Sequence, residues 1–502
     1  MQMNQTVSSI RGRTARVLGL SPDSGAVEYE SEWTSWAALA SAATSIEAHL
    51  SQAGVGPHSP VGWVARNRPA AVAVFVALLL AGRPIAPLRP NQSPSGFCDE
   101  IRIQRLQAVI GDDQDWGIDG VVGAAREAGS AGIRISGAAS FTVDLVDGLT
   151  AIGPGPHRPD APGMVIERLS SGTTGPPKRI PVSADVLLPA LRSAEAAASG
   201  MERPLTLKGS PGIILSPFTH AGGIFRLLLS IYQARPMVLF DRFTVDAWAD
   251  AVRRHKPKSA NLVPAMIRMI LASDLPRGAL ASLKAVHSST APLDVQTQVE
   301  FEARFGVPVL IDYGAAEFIG GVAGWSLSDH TRFAHLKRGS VGRPRPDVQM
   351  RVVDAQNGNS MDVGQTGQLE LKCPRFAREL VRTTDLASLD ADGFLYIHGR
   401  VDDAINRGGF KVLPDDVVAV LRQFPGVGDA AVVGVPDERL GQVPLAVIEA
   451  QGERPDVEAL KAFARERLAA YQVPVEFRFV NALPRTTTMK VSRPELKAML
   501  GL

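Results

Sequence analysis

Hydrophobic positions in the first 160 residues alternate between short extended runs and longer helical stripes. Ser35 to Ala53 puts Ala, Ile and Leu on one face at helical spacing, and Val61-Gly62-Trp63-Val64-Ala65 reads as a strand. Ala70 to Ala81 is apolar on every side, which predicts a buried helix, introduced by Asn67-Arg68-Pro69 and stopped by Gly82. Extended structure resumes at Arg83–Pro87 and again at Leu106–Gly111. This alternation predicts parallel sheet covered on both faces by helices. Gly153 to Pro162, rich in Gly and Pro, reads as a linker.

The same texture continues from 163 to about 330. Met164-Val165-Ile166, Gly212–Ser216 and Pro236–Phe240 read as buried strands, Ala247–His255 and Ala265–Leu271 as helices, and Val307–Tyr313 as a strand ending at Gly314. From about 335 to 400, Gly-punctuated alternation predicts antiparallel sheet or a small barrel, with a turn at Ala391-Asp392-Gly393. A compact α+β pattern follows residue 402. Pro414-Asp415-Asp416 starts a helix, Ala430–Val435 and Val443–Glu449 are strands, Asp456–Ala470 is a helix and Val475–Val480 a strand.

Composition narrows the class without choosing a function. The 502 residues exceed one ordinary domain, and 45% hydrophobic with 21% charged residues is usual for a globular protein. A formal charge of +2 gives no ground for a nucleic-acid partner. Only Cys98 and Cys373 are present, so neither a disulfide framework nor a cysteine metal site is expected, and a reducing cytoplasm fits. The longest apolar run, Ala70–Ala81, has 12 residues, short of the roughly 20 that span a membrane. Arg11, Arg13 and Arg16 precede any apolar run, so no secretory leader is expected.

The chemistry gathers around Leu169-Ser170-Ser171-Gly172-Thr173-Thr174-Gly175-Pro176-Pro177-Lys178, set between Met164–Ile166 and Ile180–Val182. Two glycines free the backbone to converge its N–H groups on an anion, four hydroxyls add donors, and Lys178 adds a positive charge. The loop is not a P-loop of the Walker type, because two prolines separate Gly175 from Lys178. Taken alone it is also compatible with a solvated turn. Its full order resembles the phosphate loop of the adenylate-forming, AMP-binding superfamily, which includes acyl-CoA synthetases, peptide-synthetase adenylation domains and luciferases.

Five further segments resemble that family's motifs in family order. Ser288-Ser289-Thr290-Ala291-Pro292 resembles its adenine shelf, with Ser289 and Thr290 in place of glycines. Asp312-Tyr313-Gly314-Ala315-Ala316-Glu317 resembles Tyr-Gly-x-Thr-Glu, with Ala316 in place of Thr. A carboxylate at a strand end suits Mg²⁺ carried on phosphate oxygens, which makes Glu317 the candidate metal ligand, and Tyr313 offers a flat face to a purine. Pro217-Phe218-Thr219-His220-Ala221-Gly222-Gly223 resembles Pro-x-x-His-x-x-Gly, where the resemblance implies an acyl pocket near the incoming thiol. Arg382-Thr383-Thr384-Asp385 resembles Arg-Thr-Gly-Asp, with Thr384 for Gly. The resemblance implies that Asp385 holds both ribose hydroxyls, a task a carboxylate performs with two acceptor oxygens, and that Arg400 adds a contact. Leu483-Pro484-Arg485-Thr486-Thr487-Thr488-Met489-Lys490 resembles the family's tail motif, with Met489 for Gly.

The resemblance implies two α/β subdomains and a small barrel to about residue 400, a hinge at 401–402 centred on Asp402, and a mobile α+β cap over 403–502. It implies a carboxylate–CoA ligase using ATP, Mg²⁺ and coenzyme A. Lys178 and the loop hydroxyls would hold phosphates, Lys490 would bridge carboxylate and α-phosphate, and His220 would stand near the thiol. Gly408 and Gly409 form a stretch without side chains along which pantetheine could pass, and Ala221, Gly222, Ala315, Gly320 and Gly321 leave room for an acyl or aryl group. The alternatives are transfer to a carrier-protein phosphopantetheine or an amine, and a non-catalytic nucleotide-binding homologue. No fused carrier domain and no membrane span are expected; a homodimer is compatible.

Overall fold

The computed structural model describes residues 9–169, 179–199, 205–314, 320–373 and 377–502. The described chain is mixed α/β and divides into two compact units. The first comprises residues 1–261, 273–286 and 315–320; the second comprises 262–272, 287–314 and 321–502.

The first unit is built on a sheet whose strands run in the order Thr142–Leu145, Ala131–Ser136, Ala108–Asp112, Val61–Val64, Ile85–Leu88, Met164–Leu169, Arg179–Ser183. The inner five are parallel and the two edge strands antiparallel, as helical crossovers between successive strands require. The helix Pro69–Ala81 lies within the core, with Pro at its first turn and Gly82 closing it at φ 72°. Trp36–Gln52 is capped by the Ser35 side chain, which accepts from the Ala38 N–H. A second sheet in this unit joins distant segments. Gly25–Tyr29 pairs in parallel with Met237–Leu239, which pairs with Gly212–Ile214, and Glu32–Ser35 closes the edge.

In the second unit Val309–Tyr313, Ala323–Gly324 and Arg343–Pro344 form an antiparallel set. Gln349–Val353, Gly367–Cys373, Ala377–Leu389 and Leu395–Arg400 then form a four-stranded antiparallel meander; no barrel-closing pair occurs among the described residues. The C-terminal sheet places Gly441–Ala450 between Val427–Asp437 and Glu476–Val480, with the hairpin Ile405–Arg407/Phe410–Val412 at one edge. Helices Pro414–Leu421 and Val457–Arg467 pack on one hydrophobic cluster of this sheet, and Leu496 of Arg493–Leu500 on another.

One local expectation shifts. The helix expected to run to Ala470 stops at Arg467, where Leu468 turns extended, and beyond it the Arg407 guanidinium binds the carbonyls of Tyr471 and Val473 at 2.8 and 3.1 Å. The stretch without side chains at Gly408-Gly409 is a tight two-residue hairpin turn, with φ of 56° and 89°. Among the described residues no helix is long and apolar enough to cross a membrane.

Candidate active site

The strand Val309–Tyr313 carries two of the sequence-selected residues, Asp312 and Tyr313, at its end. The Tyr313 hydroxyl donates to Asp385 Oδ2, joining the end of that strand to the long strand Ala377–Leu389. Asp385 lies opposite Arg400 in the adjoining ladder. The Arg400 guanidinium turns to Asp402, with Nε and Nη2 both at 2.9 Å, and donates from Nη2 to the Thr384 hydroxyl at 2.6 Å. Burial opposes the Arg400 charge, but the carboxylates of Asp402, Asp385 and Asp403 outweigh it and raise its pKa. Thr384, where the family pattern has glycine, therefore supplies an acceptor that glycine lacks. Asp402 sits in the short turn Val401–Asp403 with its carboxylate held by Arg400.

Asp312, one residue earlier, faces a different pair. His287 Nδ1 lies 2.9 Å from Asp312 Oδ2, and Arg345 binds Oδ1. A Cβ at Gly324 would overlap this carboxylate, so glycine is what lets the neighbouring strand approach. His287 and Arg345 were not selected from sequence; the one available signal was the position of His287 directly before the Ser288–Pro292 segment. Thr290 holds a left-handed φ of 83°, the conformation that a glycine would adopt without strain. Gly320 also has positive φ, at 90°, and the Val322 N–H donates to the Tyr313 carbonyl at 2.8 Å.

In the first unit His220 caps the helix Ala221–Tyr232 at its N-terminus, with Ala221 and Gly222 in the first turn. The turn before it is clamped by Asn67, which sequence reading treated only as part of a helix start. Asn67 Oδ1 accepts the Phe218 N–H at 2.9 Å, and Nδ2 donates to the carbonyls of Ser216 and Phe240 at 3.2 Å each. Phe218 is fully buried and stacks on Trp63 with ring centroids 5.9 Å apart. A Cβ at Gly223 would overlap the Pro217 carbonyl, so this glycine seats the turn on its helix.

Lys490 is exposed and leaves a tight turn. The Met489 N–H donates to the Thr486 carbonyl and the Thr486 N–H to the Lys490 carbonyl, both at 2.8 Å, and Met489 takes φ 63°. Gly408 and Gly409 form the hairpin tip; Gly409 has open space around it, and the Gly408 N–H bonds the Leu440 carbonyl at 2.8 Å. Ser170, Ser171, Gly172, Thr173, Thr174, Gly175, Lys178, Ala315, Ala316 and Glu317 lie outside the described residues. The structure thus brings together Tyr313, Asp385, Thr384, Arg400 and Asp402, while the His220 turn and the Lys490 turn are built separately.

What this constellation can do is bind and orient. Asp385 is a carboxylate with two acceptor oxygens, one of which takes the Tyr313 hydroxyl, and it lies opposite Arg400 in the ladder. Among the described residues no group of three or more His, Cys, Asp or Glu side chains could hold a metal ion.

Comparison with known proteins identifies the lineage. Residues 15–380 match the AMP-binding enzyme family and residues 417–490 match the AMP-binding enzyme C-terminal domain. A sulfoacetate–CoA ligase of Cupriavidus necator is 32% identical over 361 residues, 68% of each chain. A fatty acid–[acyl-carrier-protein] ligase, ScoC, of Streptomyces coeruleorubidus is 30% identical over 368 residues, 68% of this chain and 69% of that one. The fold is shared with ATP-bound MatB of Rhodopseudomonas palustris at a TM-score of 0.81 and 23% identity, covering 97% of this chain and 98% of that one. It is shared equally with the amide bond synthetase McbA of Marinactinospora thermotolerans, at 0.80 and 23%, covering 98% and 99%. The first family match alone takes in more than half of the residues, and on that ground this chain belongs to the AMP-binding enzyme family.

Proposed function

We propose that the protein is an ATP-dependent carboxylate–CoA ligase that works through an acyl-adenylate. The observation that supports this best is the side-chain bond between Tyr313 and Asp385, which joins two motifs far apart in sequence into one edge suited to an adenosine. Relatives named as CoA ligases agree with it.

In the first half-reaction the substrate carboxylate attacks the α-phosphorus of Mg·ATP, forming the acyl–O–P bond and releasing pyrophosphate. Asp385 accepts the ribose hydroxyls, the Tyr313 ring lies against the base, and Arg400 adds positive charge at the same edge. Lys178 and the hydroxyls of Ser170, Ser171, Thr173 and Thr174 hold the phosphates, and Glu317 holds the ion that arrives with ATP. Lys490 lies between the two anions, where a cation placed in advance stabilises the charge that develops in the transition state. Residues 1–400 form the adenylating body and 403–502 a cap that turns about Asp402. In the second half-reaction the cap withdraws Lys490 and presents the Gly408-Gly409 tip, along which the pantetheine arm passes. The thiol attacks the acyl carbon near His220, its proton is lost to solvent, and AMP leaves. Ala221, Gly222, Gly320 and Gly321 leave space for the acyl group. The reading places the enzyme in the cytoplasm.

A second acceptor class has its own support. One relative is named as a ligase to acyl-carrier protein and one fold neighbour as an amide bond synthetase. The test is a panel of aliphatic and aryl acids scored by pyrophosphate release, repeated with CoA, a phosphopantetheinylated carrier protein and simple amines as acceptors. Acid-dependent pyrophosphate release and thioester formation with CoA are expected. Turnover with an amine or a carrier protein but not with CoA would reassign the acceptor, and no acid-dependent release would overturn the reading.

A further inference from the structure

The turn that carries Lys490 is braced by two acids of the C-terminal sheet. Glu449 Oε2 accepts the Leu483 N–H at 2.8 Å, at the root of the loop. Asp429, 2% exposed, accepts Arg485 Nη2 at 2.6 Å, and Arg485 Nη1 donates to the Met489 carbonyl at 3.3 Å. That carbonyl belongs to the peptide group linking Met489 to Lys490. The Ser492 N–H returns to the Pro484 carbonyl at 2.7 Å, and Arg485 faces Val491 across an isolated bridge. Asp429 is shared with two other guanidiniums: Arg422 Nε at 2.7 Å and Arg268 Nη2, from the helix Pro264–Leu271, at 3.3 Å. Burial pushes the Asp429 carboxyl up, but Arg422, Arg268 and Arg485 together bring it down to about 2. It is therefore a fixed negative charge at any working pH.

We propose that Asp429 and Arg485 are positioning residues for Lys490: the buried carboxylate fixes the guanidinium, and the guanidinium fixes the peptide from which the lysine leaves the turn. This rests on the adenylation role given to Lys490 above. The physical argument is one of direction. Met489 holds a left-handed φ that an L-residue keeps only when neighbouring bonds over-determine it. The Arg485–Met489 bond is such a constraint, and the buried Asp429 is the anion that holds the half-buried Arg485 guanidinium in place. Released from it, the turn can relax, and the ammonium loses its aim without losing its charge.

The test separates the half-reactions. Arg485→Gln, Asp429→Asn, Arg422→Gln and Lys490→Ala are assayed for pyrophosphate release from ATP and acid, and for thioester formation from supplied acyl-adenylate and CoA. Thermal melts accompany each variant. Arg485→Gln is expected to lower adenylation by about 100-fold, the scale of a 1 Å misplacement, and to leave thioester formation near the parent value. Arg485→Lys, which keeps the charge, is expected to recover part of the loss. Asp429→Asn should behave as Arg485→Gln does; if it fails to fold, Arg485→Gln decides. Arg422→Gln shares the carboxylate without bracing the turn and should not split the two halves. Equal losses in both halves, or the same split in Arg422→Gln, overturn the proposal. So does a fully active Arg485→Gln beside an inactive Lys490→Ala. An active Lys490→Ala instead sinks the underlying role of the lysine.

Discussion

The Tyr313 hydroxyl bonds Asp385 directly, so the residue at the end of one strand orients a carboxylate on another. A hydrogen bond to a charged group is worth about 1.5–3 kcal/mol. Tyr313→Phe keeps the ring and removes this bond. It is expected to raise KM for ATP by about tenfold, since 1.4 kcal/mol corresponds to a factor of ten, with a smaller change in kcat. Steady-state kinetics with ATP varied at saturating acid provide the check. An unchanged KM would separate the tyrosine from nucleotide binding.

Thr290 and Met489 both hold positive φ where the family pattern has glycine. The left-handed region costs an L-residue about 1–2 kcal/mol, and glycine escapes that cost while losing more freedom on folding. Met489→Gly and Thr290→Gly are each expected to leave stability unchanged or raise it by up to about 1 kcal/mol. Met489→Val, branched at Cβ, is expected to lower it. Denaturant unfolding of the three variants decides: a loss above about 1 kcal/mol in the glycine variants would mean that the side chains supply packing that outweighs the strain.

Gly222 and Gly223 make a matched pair. A Cβ at Gly223 meets the Pro217 carbonyl, whereas a Cβ at Gly222 meets nothing within 4 Å. Gly223→Ala is expected to cost about 1–3 kcal/mol or more by overpacking and to displace the His220 turn, with a fall in activity. Gly222→Ala, inside a helix, is expected to gain up to about 1 kcal/mol. Comparable melting temperatures for the two variants would contradict the close approach.

Asp429 gives the fold a defined acid limb. Its pKa is lowered from 3.8 to about 2 in the folded protein. Its contribution is fully present above about pH 4 and is lost as pH falls towards 2, amounting to about 2 kcal/mol. Unfolding free energy measured between pH 5 and 2 should fall less steeply in Asp429→Asn than in the parent. Parallel slopes would assign the limb to other carboxylates.

Elements made from one continuous pattern were legible in the sequence. Pro69–Ala81 was visible because nothing polar interrupts it, and Val309–Tyr313 because an apolar run ends at a glycine. Elements made by distant pairing were not. Gly25–Tyr29 finds its parallel partner at Met237–Leu239, and no local pattern announces a neighbour so far along the chain. The site divides in the same way. Motif order picked out Tyr313, Asp385, Arg400 and Asp402, but not that the Arg400 side chain bonds Asp402 and Thr384. No local pattern marks Asp429, because the three arginines around it come from separate segments. The sequence shows Thr290 and Met489 in place of glycines, but only the structure shows that both take left-handed φ.

The Asn67 clamp has a consequence for how the enzyme would respond to acidity. A primary amide does not ionise, so the three bonds that Asn67 gives to the turn before His220 keep the same strength from mildly acidic to mildly alkaline solution. Any pH dependence of that turn must therefore enter through groups other than this amide.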